Sequence, residues 1–330
     1  MLELGKEYPP EGEGEAIAEL AALHLKIHQV QPGPSLRGEH SKQHAGVWAT
    51  FRVLEGIPDA MRVGLFAVPG SYVALVRFSN GRAQDDTQSD VHGMAVKVLV
   101  PNESGVLLMQ DFIVADHPVF FARTVKHLLD FVAATASGVP FSQIAADYPA
   151  LAGFTRVATT SLLATTYWSQ TPYKLGAAAV KYVVTPSEAE VATSTPLAQS
   201  PDCLRDALVE QLSLRRVRAT FDLSVQLQTD AIAMPVEDPT VEWTAAPVRL
   251  AAVTIHPQEF DSPTQRDAFA NLLWSPWHAL PDHAPLGGIN RARRRVYAGS
   301  SALRHQKNGP APGSGGPSGD RGDAIFDTHA

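Results

Sequence analysis

Three features of the 330-residue sequence predict an α+β fold. From Thr220 to Gln228, Phe221, Leu223, Val225 and Leu227 alternate with Asp222, Ser224, Gln226 and Gln228, which is the two-residue period of a half-buried strand. Other strand-like runs lie at unequal spacings, with helical segments grouped beside them and no strand–helix–strand rhythm. No Gly-rich phosphate loop follows a strand: Gly12-x-Gly14 has none before it, so the dinucleotide-binding alternative fails its own context.

The elements follow in order. Glu13 to Val30 is predicted as a helix from the broad apolar stripe Ile17, Leu20, Ala21, Leu23, Leu25 and Ile27, ended by Pro32, Gly33 and Pro34. Val47 to Leu54, Tyr72 to Phe78 and Met94 to Val100 read as strands, the second and third apolar enough to be buried on both faces. Phe120 to Ala134 is predicted helical, and Leu151 to Ala164 and Gly176 to Tyr182 as helical or mixed. Val248 to Ile255 adds a strand, and Gln265 to Leu273 and Ile289 to Arg304 close the chain as helices. This organisation predicts a flexible start over 1–12, one domain over 13–308 and a disordered Gly/Pro/Ser-rich tail over 309–330.

Composition narrows the function. With 45% hydrophobic and 18% charged residues the chain can bury a large core. A net charge of −7 without a basic stretch argues against nucleic acid. The single Cys203 rules out an intrachain disulfide and Cys-rich metal sites. The start of the chain lacks the pattern of a secretory signal, and no apolar run is long enough to span a membrane, so a cytoplasmic protein is expected.

Polar groups dense near apolar runs are the site candidates: Arg37 to His44, Arg77 to Asn80, Asp116-His117 and Arg293 to Arg304. Alone, each is weak, since a histidine such as His44 or His117 is more often structural than a ligand. The last helix says more. Arg293 and Tyr297 are four apart and Arg304 seven further on, so the three share one face. An arginine one turn from a tyrosine favours the phenolate, whose ordinary pKa of about 10 must fall before it binds a metal at neutral pH.

Five blocks together resemble the catalases. Arg37-Gly-Glu-His40 resembles the segment with an arginine three residues before the distal histidine. Val76-Arg77-Phe78-Ser79 resembles the strand with a haem-propionate arginine and a serine that orients that histidine. Asp90 to Lys97, Ala115 to Phe121, and Arg293-x-x-x-Tyr297 with Arg304 and Asn308 beyond it resemble the next strand, the opening of the distal helix and the proximal helix. Ser169 to Gly176 and Pro276-Trp-His278 through Gly287 resemble the short bacterial catalase-related proteins. The resemblance spans roughly Glu13 to Asn308.

It implies an antiparallel, roughly eight-stranded β-barrel surrounded by helices, with haem b between them. Tyr297 would be the iron ligand, held ionised by Arg293. Arg37, Arg77 and Arg304 would pair with the propionates, and His40 would be the distal acid–base with its tautomer set by Ser79. The implied activity is that of a haem peroxidase of catalase-like type with weak catalase activity. It would act on hydrogen peroxide or organic hydroperoxides with a small-molecule reductant. Two positions depart from the family: Asp116 stands where asparagine is usual, and His92 where arginine is usual. A carboxylate in the distal pocket is expected either to keep its proton or to pair with His40, placing Asp116 among the catalytic residues. Without the long terminal arms on which interlocked tetramers rely, a smaller assembly such as a homodimer is expected. A lipid-hydroperoxide isomerase or peroxygenase, with Phe120, Phe121 and Leu151 to Tyr167 lining a channel, and a non-enzymatic haem carrier are the competing readings.

Overall fold

The structure is a computed structural model and describes residues 2–30, 35–154, 159, 161–187 and 199–308. Among these are nine strands: β1 (Gln43–Val53), β2 (Gly70–Asn80), β3 (His92–Pro101), β4 (Leu107–Ala115), β5 (Tyr167–Trp168), β6 (Tyr173–Leu175), β7 (Ala178–Pro186), β8 (Ala219–Leu227) and β9 (Val248–Ile255). All pairings are antiparallel, in the order β5-β4-β3-β2-β1-β9-β8-β7-β6, and β5 also pairs β7. That last pairing closes eight strands into a barrel and leaves β6 as a flap on β7. The expected α+β barrel is the fold observed.

The strand pleat sends alternate side chains to opposite faces. Ala45, Val47, Ala49 and Phe51 of β1, Val76 and Phe78 of β2, Met94, Val96 and Val98 of β3, and Phe112, Tyr182 and Phe221 meet in one apolar core inside the barrel. The rings of Phe51 and Phe112 stack at 5.7 Å, and Phe112 meets Tyr182 edge-on at 4.8 Å. The interior is therefore packed with side chains, and chemistry is left to the outer face.

Seven α-helices flank the barrel: α1 (Glu13–Gln29), α2 (Val125–Ala136), α3 (Phe141–Ile144), α4 (Leu151–Phe154), α5 (Cys203–Leu208), α6 (Pro263–Asn271) and α7 (Gly288–Asn308). Helices α1, α2 and α7 share a small apolar cluster through Ala16, Leu20, Val125, Leu129 and Ala292. α1 and α7 run parallel: Arg291 binds Glu13 at 2.6 Å, a Cβ on Gly299 would meet Leu25 at 3.2 Å, and Lys307 donates to the carbonyls of His28 and Gln29. Residues of the expected flexible start are hydrogen-bonded to the body: Gly5 N donates to Gln228, Tyr8 N to Glu237, and Glu7 accepts from Gly287 N.

Three expectations are corrected. Gly176 to Tyr182 is not helical; it leads into β7, whose buried Lys181 donates to the Val241 carbonyl and lies 5.3 Å from the Trp243 ring. β4 was not foreseen, because the wholly buried Gln110 and Asp111 interrupt its apolar run. The helix expected from Phe120 starts at Val125, where Thr124 caps it by accepting from His127 N. Of the helical or mixed segment 151–164, part lies outside the described residues, as does the tail 309–330.

Candidate active site

On β2 and β3 the residues whose side chains leave the barrel are Leu75, Arg77 and Ser79, and Gly93, Ala95 and Lys97. Ser79 is directly opposite Gly93 and Arg77 opposite Ala95. His40 lies over this outer wall. Its Nδ1 is 3.3 Å from Ser79 Oγ, and its backbone N–H donates to Gly81 O at 2.8 Å. A Cβ on Gly93 would lie 2.6 Å from His40 Nδ1, so glycine there lets the imidazole rest on the strand backbone. His40 has φ 55°, a left-handed conformation that costs a side-chain-bearing residue about 1–3 kcal/mol and concentrates at functional sites. Burial first, then Arg77, lowers the His40 pKa to about 4, with Asp90 opposing. The imidazole is neutral at pH 7.

Tyr297 is carried by α7. Arg293, one turn earlier, donates to Tyr297 Oη at 2.9 Å and lies 5.2 Å from the ring centre. Burial pulls the Arg293 pKa down, but the neighbouring Tyr297 and Tyr173 phenols outweigh it and leave the pKa raised. Asn290, another turn back, fixes this arginine. Its Oδ1 accepts from Arg293 at 3.3 Å and from Thr171 at 3.1 Å, and its Nδ2 donates to the carbonyls of Pro172 and Leu286. Asn290 was missed from the sequence, although the three-residue spacing to Arg293 places it on the same face.

The remaining arginines converge. Arg77 donates to the carbonyl of His40 at 2.7 Å and to Gln43 at 3.1 Å, and Arg37 to the carbonyls of Ala270 and Leu272 at the end of α6. Burial, followed by the charges of Arg77 and Arg304, drives the Arg37 pKa well down; burial and Arg304 lower that of Arg77 to about 9. Burial lowers Arg304 as well, and its Nε and Nη2 are buried without a hydrogen-bond partner. Among the described residues no carboxylate forms an ion pair with Arg37, Arg77 or Arg304. Tyr297 is the one nearby group whose charge would favour both Arg37 and Arg77. Asn308 exchanges two hydrogen bonds with the backbone of Ser35, so the end of α7 clasps the start of the Arg37–His40 segment.

Asp116 sits elsewhere. It does not bond His40; its Oδ1 accepts from the backbone N–H of His92 and its Oδ2 meets His92 Nδ1, both at 2.7 Å. The expected pairing with His40 is replaced by pairing with His92, because residue 116 continues β4 beside residue 92 and both fall on the inner parity of their strands. Phe120 and Phe121 pack together at 4.7 Å and against Phe131, Tyr148 and Phe154. Those aromatics form a satellite core under α2, which accounts for them without a channel.

Two other outward groups on these strands serve packing. Lys97, buried, bonds Asp111 at 2.7 Å; Asp111 also accepts from Ser275 N and approaches His278 at 3.1 Å, tying the 272–280 segment to the barrel. No helix among the described residues is long and apolar enough to cross a membrane.

No protein-family model matches the chain, and no curated protein matches it in sequence. Solved structures do. A fungal catalase superposes with a TM-score of 0.61 at 17% identity, over 86% of this chain and 61% of that one. Catalase A from Saccharomyces cerevisiae superposes with a TM-score of 0.62 at 16% identity, over 89% of this chain and 70% of that one. The chain thus spans about three fifths of the fungal catalase, and at these identities the likeness establishes architecture: a closed eight-stranded antiparallel barrel with flanking helices, the catalase fold.

Proposed function

We propose that this protein binds haem b at the outer wall of β2 and β3 and uses it as a peroxidase on hydrogen peroxide or small organic hydroperoxides, with weak catalase activity. The carrying observation is the convergence of Arg37, Arg77 and Arg304 near Tyr297 with no anionic partner among the described residues. Three partly or fully buried guanidinium groups that depress one another call for a dianionic ligand, and two carboxylates on one flat molecule satisfy the forked donor geometry. The unpaired buried donors of Arg304 fit that group.

In this reading Tyr297 would hold the iron, and Arg293, fixed by Asn290, donates a hydrogen bond to its Oη. The haem supplies the redox chemistry of peroxide cleavage. Neutral His40 would accept and hold a peroxide proton at Nε2 and give it back, while Ser79 orients the ring through Nδ1. Arg77 holds the His40 carbonyl, so the same guanidinium that favours a carboxylate also positions the acid–base. The reductant would be a small one-electron donor such as a phenol.

The aromatic packing of Phe120 and Phe121 supports small peroxides over a lipid-hydroperoxide isomerase. The His40–Ser79 pair supports catalysis over haem carriage, which needs no acid–base. The test is the optical spectrum of the haem-reconstituted protein beside Tyr297→Phe. A five-coordinate tyrosinate-type Soret band that shifts or vanishes in the variant is expected; an identical spectrum, or no haem uptake, removes the proposal.

A further inference from the structure

The two positions at which the sequence departs from the catalase resemblance, His92 and Asp116, form one unit. Three bonds join them: His92 N–H to Asp116 Oδ1 at 2.7 Å, His92 Nδ1 with Asp116 Oδ2 at 2.7 Å, and Asp116 N–H to His92 O at 3.0 Å. Both side chains are buried. With Asp116 as a carboxylate, which can only accept, Nδ1 of His92 is the donor and Nε2 the variable nitrogen. On the opposite face of β3, one residue along, Gly93 supports the His40 ring. The same strand position faces Ser79, the partner of His40 Nδ1.

We propose that Asp116 and His92 are positioning residues: the carboxylate anchors β3 at residue 92 through backbone and side chain at once, and this sets Gly93, and with it the ring of His40, at its working place. Asp116 then acts on peroxide chemistry through His92 and the strand without touching peroxide. Around His40 lie Ser79 and Arg77 from β2, Gly93 from β3, Asp90 from the loop before β3 and Arg293 from α7, with His92 on the other face of β3 close enough to be felt electrostatically. Of these, His92 is the one that Asp116 bonds directly, and Gly93 follows it in the strand. The proposal rests on the peroxidase reading for its catalytic consequence, but its structural half stands without a cofactor.

The test uses ¹⁵N-histidine NMR on the full-length apoprotein, with Asp116→Asn and Asp116→Ala. In the parent protein His92 should carry its hydrogen on Nδ1. In Asp116→Asn the amide can accept from the backbone with its oxygen and donate with its nitrogen, so His92 should switch to the Nε2–H tautomer. The ring resonances of His40 should move in both variants. In haem-loaded protein the rate of cyanide binding, which needs His40 as proton acceptor, should fall roughly tenfold in Asp116→Ala with a displaced pH profile, the scale typical of lost orienting partners. Unchanged His40 resonances and an unchanged His92 tautomer in folded Asp116→Asn would overturn the assignment, and this variant keeps the test decisive if Asp116→Ala does not fold. A protein that takes up no haem but whose His40 ring responds to Asp116 would retain the positioning pair and discard the peroxidase reading.

Discussion

Replacing Arg304 with methionine should make the cofactor-free protein more stable and shrink the extra stability that haem confers. Arg304 is 5% exposed, and its Nε and Nη2 are buried without partners. An unsatisfied buried donor costs about 1–3 kcal/mol, so removing two of them recovers on the order of 2–6 kcal/mol before lost packing is counted. Methionine retains most of the apolar stem and fills irregular space, which offsets that loss. It also lifts the repulsion felt by Arg37 and Arg77. A net gain of about 2 kcal/mol raises the melting temperature by roughly 3 °C in a domain of about 300 residues. Haem at a hundredfold excess over its Kd stabilises the parent protein by about 2.7 kcal/mol. Losing one charge-assisted pair of about 1.5–3 kcal/mol should weaken haem binding by roughly ten- to a hundredfold. Differential scanning calorimetry with and without haem reads both effects. A variant that melts lower than the parent in the absence of haem refutes the idea that the arginine cluster is an uncompensated binding site.

Other outcomes follow from the same geometry. Gly93→Ala puts a Cβ 2.6 Å from His40 Nδ1, so the ring must leave; we expect a loss of about 1–3 kcal/mol in stability and at least a hundredfold drop in peroxide turnover, read by denaturant titration and initial rates. His44 and His283, both buried, have pKa values lowered to about 4, chiefly by burial. With folded values below the unfolded 6.5, each stabilises the fold fully above pH 6.5 and loses this contribution as pH falls towards 4, by about 3 kcal/mol per group. Urea midpoints measured from pH 7 to pH 4 should drop accordingly, and His283→Gln should flatten the slope. Arg291→Met strands Glu7, Glu13 and Glu237, which all bind that guanidinium. Faster proteolysis near residues 3–12 is expected, with haem uptake retained; unaltered cleavage would mean the arm is held by its other bonds.

The sequence revealed those parts in which one period dominates. β9 was read at its observed limits, and β8 and α1 to within two residues, because their apolar residues recur regularly. The read failed where burial falls on polar residues. Asp111 and Gln110 in β4, and Lys181 in β7, find buried partners that no local pattern announces. The proximal side of the site was legible because Arg293, Tyr297 and Arg304 share one helix and spacing alone brings them together. The His92–Asp116 pair was not: the residues are 24 apart in sequence and meet only through the register of β3 with β4. Barrel closure was likewise beyond periodicity, resting on the two-residue strand β5 that joins β4 to β7.

The site draws on opposite stretches of the chain: Arg37 and His40 come before the first strand, while Arg293, Tyr297 and Arg304 lie on the last described helix, clasped to Ser35 through Asn308. During synthesis the barrel and the histidine side emerge first, and the tyrosine side only after every strand has been made. If the protein binds haem as proposed, capture would have to wait for nearly the whole polypeptide, and a product ending before α7 would lack Arg293, Tyr297 and Arg304. Loading would then be a built-in check that translation ran past Arg304, and pigment in a purified sample would report that α7 is present as much as correct folding.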